Sequence, residues 1–151
     1  MDRRQIIKAG GILCVSAVVP VGCYSDTTVI APEINEVWER IAKGLENAGI
    51  YSREDHPEMS EEELELHLPV VEFGYGSVSV KSKHPMEEGH WINTLYIKDQ
   101  SEAVIGLKQF KPEDDLAWSV FPVPIGTKKI LAFAFCTVHD HWCEKVSAPH
   151  T

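Results

Sequence analysis

The chain has 151 residues, 44% hydrophobic and 25% charged, the length and composition of one globular domain, which excludes a disordered chain or a collagen-like fibre. Fourteen Lys and Arg against 23 Asp and Glu leave a formal charge of −9 with no basic face, which argues against a nucleic-acid partner. Four cysteines, at 14, 23, 136 and 143, are too few and too uneven for a disulfide-stapled miniprotein, so a packed core must hold the fold.

Residues 1–22 read as an export signal. Arg3 and Arg4, then Ile6, Ile7 and Lys8, precede an uncharged run from Ala9 to Val21 that is too short to span a bilayer comfortably. This twin-arginine pattern predicts export to the periplasm or another extracytoplasmic space, by a route used for proteins that fold first, often around a cofactor. Val21-Gly22-Cys23 matches part of a lipoprotein cleavage site, although Pro20 stands where an aliphatic residue is expected; a lipid anchor at Cys23 and ordinary cleavage both stay open. Without the signal the balance is 11 basic against 22 acidic residues, a net charge of about −11.

From Pro32 onward, Ile34, Val37, Trp38, Ile41, Leu45 and Ala48 recur at three- and four-residue steps, with Gly49 just beyond. The spacing predicts an amphipathic helix of about fifteen residues. Tyr51 to Leu64, rich in Glu and holding Pro57, shows no sustained period and reads as an exposed connection. The expected organisation is therefore a signal over 1–22, a helix and acidic connection over 23–64, and the main domain over 65–151.

Beyond Leu66 the pattern changes to short β-type runs between Gly and Pro: Val70 to Phe73, Ser77 to Lys81, Trp91 to Ile97, Val104 to Phe110, Trp118 to Val123 and Lys129 to Thr137. Six strands at this spacing predict an all-β class, an antiparallel sandwich with a short N-terminal helix. In the last run Ile130, Ala132, Ala134 and Cys136 share one face and Leu131, Phe133 and Phe135 the other. Both faces are apolar, so this strand should lie deep in a sheet and deliver Cys136 at its end.

Each histidine taken alone is weak evidence. Cys136-Thr137-Val138-His139 is better, because a thiolate and an imidazole three residues apart reach one metal from a turn. Three segments in order are more specific: Glu65-Leu66-His67-Leu68-Pro69-Val70-Val71, His84-Pro85-Met86-Glu87-Glu88-Gly89-His90-Trp91-Ile92 and Cys136-Thr137-Val138-His139-Asp140-His141-Trp142. Together they resemble the iron-binding segments of superoxide reductases, in the neelaredoxin branch of the desulfoferrodoxin family, over about residues 50–146. The four cysteines do not form the rubredoxin-like module of the two-iron type.

The resemblance implies an immunoglobulin-like sandwich and one mononuclear iron, with His67, His84, His90 and His139 as equatorial ligands, Cys136 as axial ligand and the sixth position open. It implies a superoxide reductase, an oxidoreductase that turns superoxide into hydrogen peroxide with electrons from a rubredoxin-like or other redox protein; a homo-oligomer stays open. Glu65 matches a glutamate given proton delivery or oxidised-state ligation in the family. Where the family commonly carries a lysine between that glutamate and histidine, this chain has Leu66. Lys81 and Lys83 are candidates to replace the charge, and are otherwise expected to solubilise a strand edge.

Of the remaining residues, His56 lacks the apolar run that follows His67, His141 is expected to face solvent, and Cys143 could pair with Cys136 in an oxidising compartment. Two other functions stay in play. One is a non-catalytic iron carrier or sensor, which the missing lysine permits. The other is a periplasmic copper or zinc module on the same ligands, since raw affinity favours copper over iron.

Overall fold

The computed structural model describes residues 32–149 except 48, 57 and 140. The signal segment and Cys23 lie outside the described residues. Two helices and eight strands follow in chain order: α1 (Pro32–Leu45), β1 (Ile50–Tyr51), α2 (Glu61–His67), β2 (Val70–Gly74), β3 (Ser77–Lys81), β4 (Ile92–Lys98), β5 (Val104–Gln109), β6 (Trp118–Pro122), β7 (Lys129–Cys136) and β8 (His141–Ser147).

The strands form two packed sheets, as expected for an all-β sandwich. One has five strands in the order β1-β8-β7-β4-β5 and the other three in the order β2-β3-β6. All pairings are antiparallel except that of the two-residue β1, which runs parallel to β8. Between the sheets lie Val78, Val80 and Phe121 from the small sheet and Ile92, Leu95, Ile97, Ile130, Ala132 and Ala134 from the large one, with Leu64 and Trp142. Gly106 on β5 sets the closest approach of the layers: a Cβ there would sit 2.5 Å from the Phe121 ring, so only a hydrogen fits.

β7 is the middle strand of the large sheet, and its two apolar faces meet two different layers. Ile130, Ala132, Ala134 and Cys136 enter the sandwich interior. Leu131 and Phe133 face outward and are covered by α1, whose Trp38, Ala42 and Leu45 pack with Tyr96, Val104 and Phe133 into a second core. Tyr96 and Phe133 stack at 4.5 Å. Glu39 of α1 accepts the backbone N–H of Val104 at 2.7 Å, and Glu46 just past its end accepts the Tyr96 hydroxyl at 3.1 Å and pairs with Lys98. The amphipathic helix read from the sequence thus seals a sheet face that would otherwise be a large exposed apolar patch.

Besides the two-residue β1, two elements differ from expectation. The first is α2, in the stretch read as an exposed connection. Ser60 caps it: the Glu63 N–H donates to Ser60 Oγ at 3.2 Å, and the Ser60 N–H donates to the Glu63 carboxylate at 3.1 Å. This capping box, with three glutamates in a positively polarised first turn, outweighs the poor periodicity of so short a segment. Ser60→Ala should lower the unfolding free energy by about 1 kcal/mol. Urea denaturation checks this, and an unchanged midpoint would show that the box contributes nothing.

The second difference is β8, hidden in the sequence because His141, Glu144 and Lys145 break its pattern. It carries the correction to His141, which is 0% exposed rather than solvent-facing. Its ring lies 5.4 Å from Tyr96 and 5.2 Å from Phe133, on the outer face under α1. Burial pushes its pKa down to about 4, so it is neutral near pH 7.

Candidate metal centre

Three segments meet at one end of the sandwich, each delivered by a different local device. α2 brings His67: its Nδ1–H donates to the Glu63 carbonyl one turn earlier, at 2.9 Å, which turns Nε2 outward from the helix end. The loop after β3 brings His84, whose Nδ1–H donates to the Pro85 carbonyl at 2.7 Å and whose backbone N–H donates to Ser82 Oγ at 3.1 Å. A tight turn brings His90, closed by reciprocal backbone bonds between Glu87 and His90 and needing Gly89 at φ +84°. The end of β7 brings Cys136 and, one turn later, His139.

Thr137 ties the second segment to the third. Its N–H donates to the Trp91 carbonyl at 3.0 Å, and its hydroxyl accepts the Trp91 N–H at 3.2 Å. A register shift in the β4–β7 pairing between Ile92 and Thr94 lies directly beneath, where the strands leave the regular ladder to form the site.

The result is a row of imidazole nitrogens. His67 Nε2 is 3.0 Å from His139 Nδ1, His139 Nδ1 is 3.1 Å from His90 Nε2, and His90 Nε2 is 3.0 Å from His84 Nε2. Cys136 Sγ lies 3.6 Å from His84 Nε2 and accepts the Val138 N–H at 3.5 Å. The possible ligand atoms of His84, His90, Cys136 and His139 all lie within 4.8 Å of one another.

Four neutral imidazoles cannot satisfy this row. His67 and His84 have given their Nδ1–H groups to carbonyls, so each presents a bare lone pair inward. If His139 and His90 donate to them, their own N–H dipoles face each other across 3.1 Å. A cation at the centre satisfies every nitrogen at once, and the carbonyls bonded to the far nitrogens fix the rings.

The electrostatics agree. His67 is held below the usual histidine range, first by burial and then by its histidine neighbours, against the opposing pull of the Glu63 carbonyl. His90 is lowered by desolvation and by His84 and His139. Both shifts favour the neutral, ligating form.

The remaining candidates fall outside the row. Glu65 sits two residues before His67 on α2, about 200° around the helix from it. Its exposed carboxylate meets Lys83 Nζ at 3.5 Å, in a cavity that it lines with Arg53, Lys83 and Glu144. Leu66 is 38% exposed. Lys81 ends β3, where Val70 and Trp118 flank it in register. His56 accompanies Glu58 at 3.0 Å, remote from the row.

Cys143 is paired in register with Phe133 and packs on the α1 side, whereas Cys136 is 1% exposed on the interior side. The two cannot reach each other, and both are free thiols. Burial pushes the Cys143 thiol up to about 12.

Sequence reasoning assigned no role to Trp142. Its indole stacks on His67 at 4.5 Å and donates Nε1–H to the His139 carbonyl at 2.6 Å, bracing two histidines. The signal was present only as an aromatic three residues after His139.

A β-sandwich that gathers four imidazoles and a thiol at one end defines a metal-binding protein of the mononuclear class. The comparisons place it further. A sequence profile of the desulfoferrodoxin family matches residues 58–145, more than half of the chain, and the chain belongs to that family. A desulfoferrodoxin homolog of Archaeoglobus fulgidus is 31% identical over 86 residues, 55% of this chain and 65% of that relative, so the chain spans just under two thirds of its length.

Among solved structures, the superoxide reductase (1Fe-SOR) of Giardia intestinalis superposes with a TM-score of 0.50 at 23% identity, covering 56% of this chain and 99% of that one. The superoxide reductase (neelaredoxin) of Ignicoccus hospitalis gives 0.53 at 20% identity, covering 65% and 92%. These likenesses establish the sandwich fold. Members of the family bind mononuclear iron, and the His/Cys group described above can hold a metal.

Proposed function

We propose that the protein is a superoxide reductase, an oxidoreductase in which one iron would be held by His67, His84, His90 and His139 together with the sulfur of Cys136. The observation that carries this reading is the row of four inward-facing imidazole nitrogens with a buried thiol against it, in a chain of the desulfoferrodoxin family. When bound, the iron supplies one electron and a Lewis-acid anchor for the anion; with two protons, superoxide then leaves as hydrogen peroxide.

The chain's own residues do the rest. Neutral imidazoles hold the ion without cancelling its positive charge, so the site keeps an attraction for an anion. The Cys136 sulfur, which accepts the Val138 N–H, would be an electron-rich ligand to the iron when it is bound. Proton delivery is assigned to Glu65, whose exposed carboxylate, held by Lys83, faces a separate cavity and must swing around α2 to reach the site. Iron analysis of protein folded in the cytoplasm, followed by mixing the reduced form with a superoxide pulse, tests the reading. It predicts one iron per chain and stoichiometric peroxide; copper or zinc in its place, or no peroxide, would overturn it. The apolar Leu66 favours the second reading, an iron carrier or sensor, should superoxide not react.

We assign residues 1–22 to a twin-arginine signal and the destination to the periplasm, with Cys23 as a lipid acceptor in the anchored form. The support is the Arg3-Arg4 pair ahead of the short uncharged run. Changing both arginines to Lys should leave full-length protein in the cytoplasm with its iron content unchanged. Unaltered export on cell fractionation would defeat the assignment.

A further inference from the structure

The ring of His67 belongs to a row that continues away from the metal centre. It stacks on Trp142 at 4.5 Å and 18°, Trp142 stacks on Tyr51 at 5.3 Å and 29°, and Tyr51 meets His56 at 4.6 Å. His67 and Trp142 are buried, whereas Tyr51 and His56 are partly exposed, so the row runs from the centre to the surface. Beside it, Tyr51, Met59, Trp142, Val138 and the two histidines His67 and His139 line a cleft of about 280 Å³. Val138, 57% exposed, gives it an apolar lip. On the other flank Cys136 and His84 are buried, and only His90 is partly open.

The surroundings of the outer end are strongly acidic. Residues 51–65 hold seven acidic side chains against one arginine. Glu58 bonds His56 itself, and Asp55 lies next to it. Glu54, Glu61 and Glu65 are paired with Lys145, Arg53 and Lys83, which leaves Asp55 and Glu58 as the carboxylates beside the outer end without a Lys or Arg partner. A small apolar contact flanked by such uncompensated charge is the form that a transient redox interface takes, with the charge selecting the partner and raising the encounter rate.

We propose that this face docks a small, positively charged one-electron carrier protein, and that the row His56–Tyr51–Trp142–His67 conducts its electron to the metal centre. The inference rests on the iron assignment above. One electron leaves the reduced carrier, which is oxidised by one, and passes to the iron, converting ferric to ferrous. No bond forms or breaks and no proton moves. The cleft brings the carrier's redox group against Tyr51 instead of against the outer surface of the sandwich, and the stacked rings span the rest.

The test is stopped-flow reduction of the oxidised, iron-loaded full chain, read as bleaching of its visible band, with two probes of opposite charge: hexaammineruthenium(II) and the iron(II)–EDTA anion. The cation should react faster, and its advantage should fall with ionic strength. Asp55→Asn with Glu58→Gln should slow the cation by up to about 10-fold. Glu88→Gln, beside His90, should not. Tyr51→Leu should slow both probes, and Tyr51→Phe, which keeps the ring, should restore the rate.

Equal sensitivity at Glu88, a faster anion, or a Tyr51→Leu protein reduced as fast as the parent would overturn the proposal. A basic carrier, reduced cytochrome c, should show the same dependence on Asp55 and Glu58, and independence from them would also overturn it. In parallel, the prereduced protein is mixed with superoxide. Failure of that reaction alone removes the reductase reading and leaves the electron entry standing.

Discussion

Cys136→Ser should abolish the visible thiolate-to-iron charge-transfer band of the oxidised protein, while Cys143→Ser should leave it intact. The expectation follows from strand parity. β7 and β8 are paired with Phe133 opposite Cys143, so Cys143 belongs to the outer layer with Phe133. Cys136 lies three residues further along β7, in the interior layer, with its sulfur 3.6 Å from His84 Nε2. Only that sulfur meets the histidine row. The Cys136 variant keeps four imidazoles, so iron should still bind, more weakly and without the band.

The Cys143 thiol, pushed up to about 12 by burial, is protonated at neutral pH and offers no thiolate. Loss of the band in the Cys143 variant, or its survival in the Cys136 variant, would mean that the wrong sulfur had been chosen. The same geometry predicts that both thiols stay titratable after iron is removed, because no disulfide can join opposite faces of a sheet.

Much of this was legible before the structure. The six strands from Val70 onward match because each is a short β-branched or aromatic run set off by a polar or turn-forming stretch. β7 declared its central place through two apolar faces. The candidate metal ligands were recognisable only as three segments taken together, since a helix end, a loop and two turns each supply one imidazole.

What escaped the sequence was either too short to show a period or fixed by contacts between residues far apart in the chain. α2 is seven residues long, too short for a hydrophobic period, so its capping box was the only signal. β8 alternates against two apolar layers, and a histidine at its start looked like surface because burial of a neutral imidazole depends on the outer layer under α1, a helix that ends more than forty residues before the first strand it covers. Trp142 braces His67 through a contact across 75 positions, which periodicity does not encode.

Leu66→Lys should raise the second-order rate with superoxide and make it fall more steeply with ionic strength. Superoxide is a small anion, and the chain without its signal carries about −11, so its general field opposes the encounter. Local positive potential must overcome this, and such steering changes association rates by roughly 10 to 10³. Position 66 is partly exposed on α2, one residue from His67, so an ammonium there faces water and keeps its charge.

The nearest lysine in that segment's surroundings, Lys83, is already paired with Glu65 and contributes little net field. A new charge therefore adds directly, and screening over a Debye length of about 10 Å at 0.1 M salt should erase much of the gain. Glu65→Ala separates the roles: it frees Lys83, which should speed the encounter slightly, and it should alter the oxidised-state spectrum if the carboxylate reaches the iron. A wild type with no measurable reaction, and a Leu66→Lys protein that gains none while its iron stays bound, would end the reductase reading and leave the carrier or sensor in its place.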